Sequence, residues 1–241
     1  MDDVKYVSMF GCDIYAGTLE DLIVKLMHDI SKDTKNVVFA INPLKVMLAD
    51  QDKKVKEILL NADILIPDGV GILYTAKKRK LIIRERITGI DLMNKMCKVA
   101  SETGIPIFIY GASAENLKQA IKNLKRTFRG IKIAGYMNGY EKDNDYINRC
   151  INESGAEILF VACGSPLQEI YIDENRNLLP NIKFFLGVGG SVDVISGKVK
   201  RAPKWIIRLD MEWLYRIIFQ PKRIVHIKEI IKFLLINRRA S

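Results

Sequence analysis

The chain has 241 residues, 49% of them hydrophobic, with 16 glycines, seven prolines and a formal net charge of +10. That is enough apolar material for a full core in one domain, and no low-complexity tract, fixed-period repeat or Ser/Gly/Pro-rich linker divides it. The four cysteines, Cys12, Cys97, Cys150 and Cys163, are too widely spaced for a zinc motif or a disulfide framework. No run of about 18 apolar residues offers a spanning helix, and the start MDDVKYVSMFGCD lacks the basic and apolar regions of a signal peptide, so the expected compartment is the cytosol. The charge is unevenly placed. Residues 198–241 hold 12 Lys/Arg against Asp210, Glu212 and Glu229, while residues 1–197 hold 26 basic and 25 acidic groups. The basic segment is also rich in Trp, Ile, Leu and Phe at helical spacing, which suits an anionic lipid surface. It is too aliphatic for a nucleic-acid arm and carries no nucleic-acid motif, so no nucleic-acid partner is expected.

In chain order, short apolar runs at 6–10, 37–41, 63–66, 105–110, 131–136, 157–162 and 183–188 read as strands, several of them apolar on both faces. Helices lie between them. Thr18 precedes LEDLIVKLMHDI, Asn42-Pro43 opens PLKVMLAD, Thr88 opens GIDLMNKMCKVA with Gly104 as its stop, and Ser113 opens AENLKQAIKNL. This alternation predicts an α/β three-layer sandwich, Rossmann-like, with a mainly parallel sheet over residues 1–197. A basic amphipathic helical appendage follows over 198–241. Ligands of such sheets sit at the C-terminal ends of the strands.

Four strand-end turns therefore matter. Asn42 ends the second apolar run and can either cap the next helix or hold a ligand. In Ile66-Pro67-Asp68-Gly69-Val70-Gly71, the Asp68 carboxylate can face a cleft, or the residues can serve a plain Pro-Asp-Gly turn. In Cys163-Gly164-Ser165-Pro166-Leu167-Gln168, Gly164 permits close backbone approach, Pro166 suits the first helical turn and Gln168 adds a neutral donor and acceptor. In Gly187-Val188-Gly189-Gly190-Ser191-Val192-Asp193, three glycines follow a strand and Asp193 can accept from ribose hydroxyls. The dinucleotide pattern G-x-G-x-x-G is absent, which argues against an NAD-dependent oxidoreductase. Cys163 reads as a core thiol, since no motif ties His28 or His226 to it. Asp143-Asn144-Asp145 has metal-binding D-x-D spacing, but acids entering a helix need no metal, so none is expected.

Together INP at 41–43, ADILIPDGVG at 62–71, ERITGIDL at 85–92, YMNGY at 136–140, FVACGSPLQE at 160–169 and the long run from GVGGSVDVISGKVKRAPKW to PKR at 187–223 resemble the TagA/WecG/CpsF family of bacterial glycosyltransferases, glycosyltransferase family 26. The resemblance implies an inverting, metal-independent transfer, with no cofactor. The sugar, most often N-acetylmannosamine, would move from a UDP-sugar to undecaprenyl-diphosphate-linked GlcNAc in teichoic-acid-type polymer synthesis. It implies a peripheral protein at the inner membrane face, a homo-oligomer, and an appendage that completes the site. Asp68 matches the family's base, and Asn42, Arg86 and Gln168 match polar residues around the substrates. Gly111, Tyr136, Gly164, Gly189 and Asp193 are the expected UDP-sugar side, and Arg216, Lys222 and Arg223 the expected diphosphate clamp for the acceptor. Ala40 departs from the family, which often has Thr there. A different UDP-sugar donor for capsule or exopolysaccharide, or a non-catalytic enhancer role, remain alternatives.

Overall fold

The computed structural model describes residues 6–208, 211–219 and 227–239. Eight strands form one sheet in the order β1-β2-β4-β3-β8-β7-β5-β6. They are β1 (Tyr6–Met9), β2 (Cys12–Tyr15), β3 (Asn36–Ile41), β4 (Ile64–Pro67), β5 (Ile107–Gly111), β6 (Ile133–Met137), β7 (Ile158–Ala162) and β8 (Phe184–Gly187). Only β1 and β2 run antiparallel; every other neighbouring pair is parallel. The expected Rossmann-like sandwich is therefore the observed architecture.

Strand β2 was not among the sequence expectations. Phe10 and Gly11, at φ 57° and 75°, make a two-residue turn of the kind that suits hairpin twist, and the chain doubles back to pair Tyr6 with Tyr15. The second arm is only four residues long, too short for its alternation to stand out.

Alternate strand side chains feed two cores. On one face Val38, Ala40, Ile64, Ile66, Phe160 and Leu186 pack under α1 (Leu19–Ser31), α5 (Gly89–Thr103), α6 (Ala114–Thr127) and α9 (Ser191–Ser196). On the other, Val37, Phe39, Ile41, Leu65, Leu159 and Phe185 pack under α2 (Pro43–Gln51), α3 (Lys53–Leu60), α4 (Val70–Lys78), α7 (Asn144–Ser154) and α8 (Leu167–Asn175). The period of two along each strand is what makes a covered sheet with two apolar faces.

The start signals hold where they are local. Thr18 closes a full capping box with Asp21, and Thr88 and Ser113 accept from the backbone N–H groups of Asp91 and Asn116. Gly104 ends α5 in the left-handed conformation.

After Gly197 come α10 (Lys204–Arg208), α11 (Glu212–Phe219) and α12 (Ile227–Arg239). Helix α12 packs along α2, and its Phe233 is fully buried against Phe10, with ring centroids 5.5 Å apart. Gly71 leaves the space for that ring: a Cβ there would lie 2.6 Å from Pro43 Cγ and 3.1 Å from Phe233 Cε1. None of the described helices is long and apolar enough to cross a membrane.

Candidate active site

Strand order places the site. The helices that follow the neighbouring strands β3 and β8 leave on opposite faces of the sheet, since Met47 of α2 joins the Phe39 core and Val192 of α9 joins the Val38 core. A crevice opens at such a switch point, beyond the C-terminal strand ends. The turns after β4, β3, β8 and β7 carry Asp68, Asn42, Gly189 and Gly164, and these four strands are consecutive neighbours. The sequence separates these turns by up to about 150 residues; the sheet aligns them at roughly 4.8 Å per strand.

Asp68 is partly buried, and its backbone N–H donates to Ile41 O at 2.8 Å. The following Gly69 sits against the β3 turn, where a Cβ would lie 3.5 Å from Pro43 Cδ and 3.7 Å from Asn42 Cβ. Asn42 caps α2, its Oδ1 accepting from Lys45 N–H at 3.0 Å, so the capping reading of that residue is the observed one. Its amide nitrogen is left for other contacts. Ala40, two residues earlier, is buried in β3 and presents only a methyl group.

Arg86 reaches the same end of the sheet because Ile87 N–H donates to Pro67 O at 3.1 Å. Its guanidinium pairs with Glu212 of α11 at 3.0 Å, and both side chains are largely buried. A second ion pair, Arg201 to Asp91 at 2.7 Å, fixes the start of the appendage to the first turn of α5. The appendage is thus tied to the 86–91 segment by two ion pairs, one of them through a candidate site residue.

Gln168 lies in the first turn of α8 and is 3% exposed. Both ends of its carboxamide are used inside the protein: Oε1 accepts from Gly189 N–H at 2.8 Å and Nε2 donates to Glu169 Oε1 at 2.8 Å. Pro166 sits at the N-cap position after a cis Ser165–Pro166 bond, one step before the helix rather than inside it, with Gly164 at φ 78°. The Cys163 thiol is pushed above its ordinary value, chiefly by burial, which disfavours a thiolate nucleophile.

The other expected donor-side residues stand further along the sheet or have partners within the fold. Gly111 ends β5, where a Cβ would meet the Ala162 carbonyl carbon at 2.5 Å, so close strand approach accounts for the glycine. Asp193 Oδ1 accepts from Asn116 Nδ2 at 2.7 Å, joining α9 to α6. Tyr136 is exposed on the edge strand β6, five strand spacings or roughly 24 Å from the Asp68 strand. Asp143 caps α7, accepting from Tyr146 N–H, which explains the D-x-D spacing by helix entry. Arg216 belongs to α11, while Lys222 and Arg223 lie outside the described residues.

Two residues that the sequence did not single out are Lys45 and Glu169. Lys45 Nζ lies 2.6 Å from Glu169 Oε1, with the two side chains 4% and 0% exposed. Burial alone would raise the Glu169 carboxyl, but the Lys45 ammonium and hydrogen bonds from Lys45 and Gln168 hold it below the ordinary glutamate range. The sequence signal is a charged residue inside an otherwise apolar helix start; nothing in it pairs positions 124 residues apart.

A family model described as the glycosyl transferase WecG/TagA/CpsF family matches residues 7–240. A Bacillus subtilis (strain 168) protein named N-acetylglucosaminyldiphosphoundecaprenol N-acetyl-beta-D-mannosaminyltransferase is 35% identical over 86% of this chain and 81% of its own length. A Bacillus spizizenii (strain ATCC 23059 / NRRL B-14472 / W23) protein of the same name is 36% identical over 85% and 80% respectively.

Glu212→Gln is expected to loosen the appendage, because it removes the carboxylate that faces the largely buried Arg86 guanidinium at 3.0 Å. Breaking one side of such a pair costs on the order of 3 kcal/mol. Limited proteolysis should cut faster after residue 197, with a lower thermal midpoint. The exposed pair Lys54–Glu174 is the control, and Lys54→Ala should leave the cleavage rate unchanged. Equal proteolysis rates in Glu212→Gln and the parent would show that the ion pair does not hold the appendage.

Proposed function

Because this chain belongs to the WecG/TagA/CpsF family of glycosyltransferases, we propose that it transfers N-acetylmannosamine from a UDP-sugar to GlcNAc carried on undecaprenyl diphosphate, in synthesis of a teichoic-acid-type wall polymer. The printed names of the Bacillus relatives support the sugar and the lipid-linked acceptor. The observation that carries the reading is the junction of Asp68, Asn42 and Arg86 at the switch point of the sheet.

In an inverting transfer, the acceptor hydroxyl attacks the anomeric carbon on the side opposite the departing UDP. Asp68 takes the hydroxyl proton as that bond forms, and its place at a strand end leaves a carboxylate beside the crevice. The leaving diphosphate gains negative charge and needs cations or oriented N–H groups. Arg86 and the backbone around Gly164 are the groups proposed for that work, with Gln168 holding the Gly189 turn beside them. Arg216, Lys222 and Arg223 are proposed to clamp the acceptor diphosphate, a task suited to the forked guanidinium.

The lipid-linked acceptor requires a membrane surface. The appendage carries exposed Trp205, Ile218, Phe219, Ile231, Leu235 and Ile236 together with exposed Lys228 and Lys232. Apolar side chains beside ammonium groups suit the headgroup region, where the tails take up the former and anionic lipid attracts the latter. Residues 198–241 are therefore proposed as the peripheral anchor at the inner face of the cell membrane. Homo-oligomerisation is proposed on the family resemblance alone. The buried methyl of Ala40 at the end of β3 favours testing other UDP-sugars beside UDP-N-acetylmannosamine.

Asp68→Asn keeps the side-chain shape and removes the proton acceptor. Turnover with a short-chain lipid-diphosphate-GlcNAc acceptor, read as UDP release, should fall by about 10²–10⁴-fold with UDP-sugar affinity nearly kept. Retention of more than about half the activity would sink the assignment of the base. Transfer is also expected to persist in EDTA; a loss restored by Mn²⁺ or Mg²⁺ and abolished by Asp143→Ala would overturn metal independence. Lys228→Glu with Lys232→Glu should weaken binding to anionic liposomes by at least about tenfold, since each basic residue near such a surface contributes roughly 1 kcal/mol. The same variant should transfer normally to a water-soluble acceptor, and unchanged liposome binding would argue that α12 is not the contacting face.

A further inference from the structure

Beneath the crevice the buried charges do not stand alone; they form one connected chain. Lys45 Nζ donates to Glu169 Oε1 at 2.6 Å, and Gln168 Nε2 donates to the same oxygen at 2.8 Å. Gln168 Oε1 in turn accepts from Gly189 N–H at 2.8 Å. These contacts join α2, just past Asn42, to the start of α8 and to the turn after β8. Three of the four strand-end turns at the switch point are therefore wired to one another below the surface.

The chemistry fixes the direction of the wiring. A carboxamide has a donor end and an acceptor end. Set between a carboxylate and a backbone N–H, it satisfies both neighbours in one orientation. The flipped amide would set its carbonyl against the carboxylate and its NH₂ against another donor. Glu169 thus orients Gln168, and Lys45 supplies the counter-charge that lets Glu169 remain an anion at 0% exposure. The space is also exact for this arrangement, since a Cβ on Gly187 would lie 2.8 Å from Gln168 Nε2. A buried ion pair is weak evidence of stabilisation, because an apolar pair of similar volume often does as well. Its cost is more readily understood if it sets geometry.

We propose that Lys45 and Glu169 are positioning residues of the transferase, which lock the Gln168 carboxamide and through it hold the Gly187–Gly190 turn in the shape that receives the UDP part of the donor. The inference rests on the donor-site reading given above. Neither side chain touches substrate; both act through Gln168 and Gly189.

The test uses the full-length protein with UDP as the binding probe. Lys45→Met with Glu169→Met replaces the pair by apolar side chains of similar length and leaves no lone buried charge. Glu169→Gln keeps the shape and removes the fixed acceptor. Both are expected to bind UDP at least about tenfold more weakly, and kcat/KM should fall by about 10²-fold, the scale of a misplaced site. The double Met variant should keep a thermal midpoint close to the parent. A merely structural pair would lower the midpoint and leave the UDP affinity of the folded protein unmoved, and that result overturns the proposal. If neither variant folds, hydrogen exchange at the Gly189 amide of the parent decides: protection approaching that of the core strands supports the link, and rapid exchange overturns it. A parent protein that binds no UDP would instead count against the donor-site reading itself.

Discussion

The parallel pairing of β3 with both β4 and β8 is the constraint on which the site depends. Val38 pairs with Ile64 on one side and Leu186 on the other, so three strands end together and point their following turns the same way. Parallel strands cannot be joined by tight turns, and each return passes through a helix on one face. Those helices begin where the strands stop. The row of strand ends is consequently also a row of helix starts, which is why Asn42, Asp68, Gln168 and Gly189 come from distant parts of the chain and meet.

This arrangement has two layers of control. The upper one is made of short turns whose backbones touch, as where Asp68 N–H donates to Ile41 O just before Asn42. The lower one is polar and dry: Lys45, Glu169 and Gln168 sit at 5% exposure or less. In a low-dielectric interior such a chain is tolerable because its opposite charges are paired, Lys45 Nζ against Glu169 Oε1 at 2.6 Å. The result resists small displacements of Glu169 or Gln168, since moving either breaks contacts with two neighbours.

The appendage is held on different terms. Its contacts with the core combine the buried Phe233 ring with ion pairs at Arg86 and Asp91, while large apolar side chains remain exposed. Arg86 belongs to both sides of this balance, being a proposed substrate contact and the partner of Glu212.

What the sequence determined by itself was whatever depends on neighbours in the chain. Thr18, Thr88, Ser113 and Asn42 act on backbone groups three residues away, so a short window contains the whole interaction, and the apolar period of each strand reports its two covered faces in the same way. The concentration of basic and apolar residues after position 197 was equally plain, as was the resemblance carried by the strand-end turns. Strand β2 escaped because four residues are too few for a period. Only the tertiary structure decided that Gln168 is spent inside the fold, that Tyr136 stands at the far edge of the sheet, and that Arg86 is paired with Glu212. The Lys45–Glu169 contact spans 124 residues, and its existence follows from strand order, since no local preference of the chain specifies which strand ends will become neighbours.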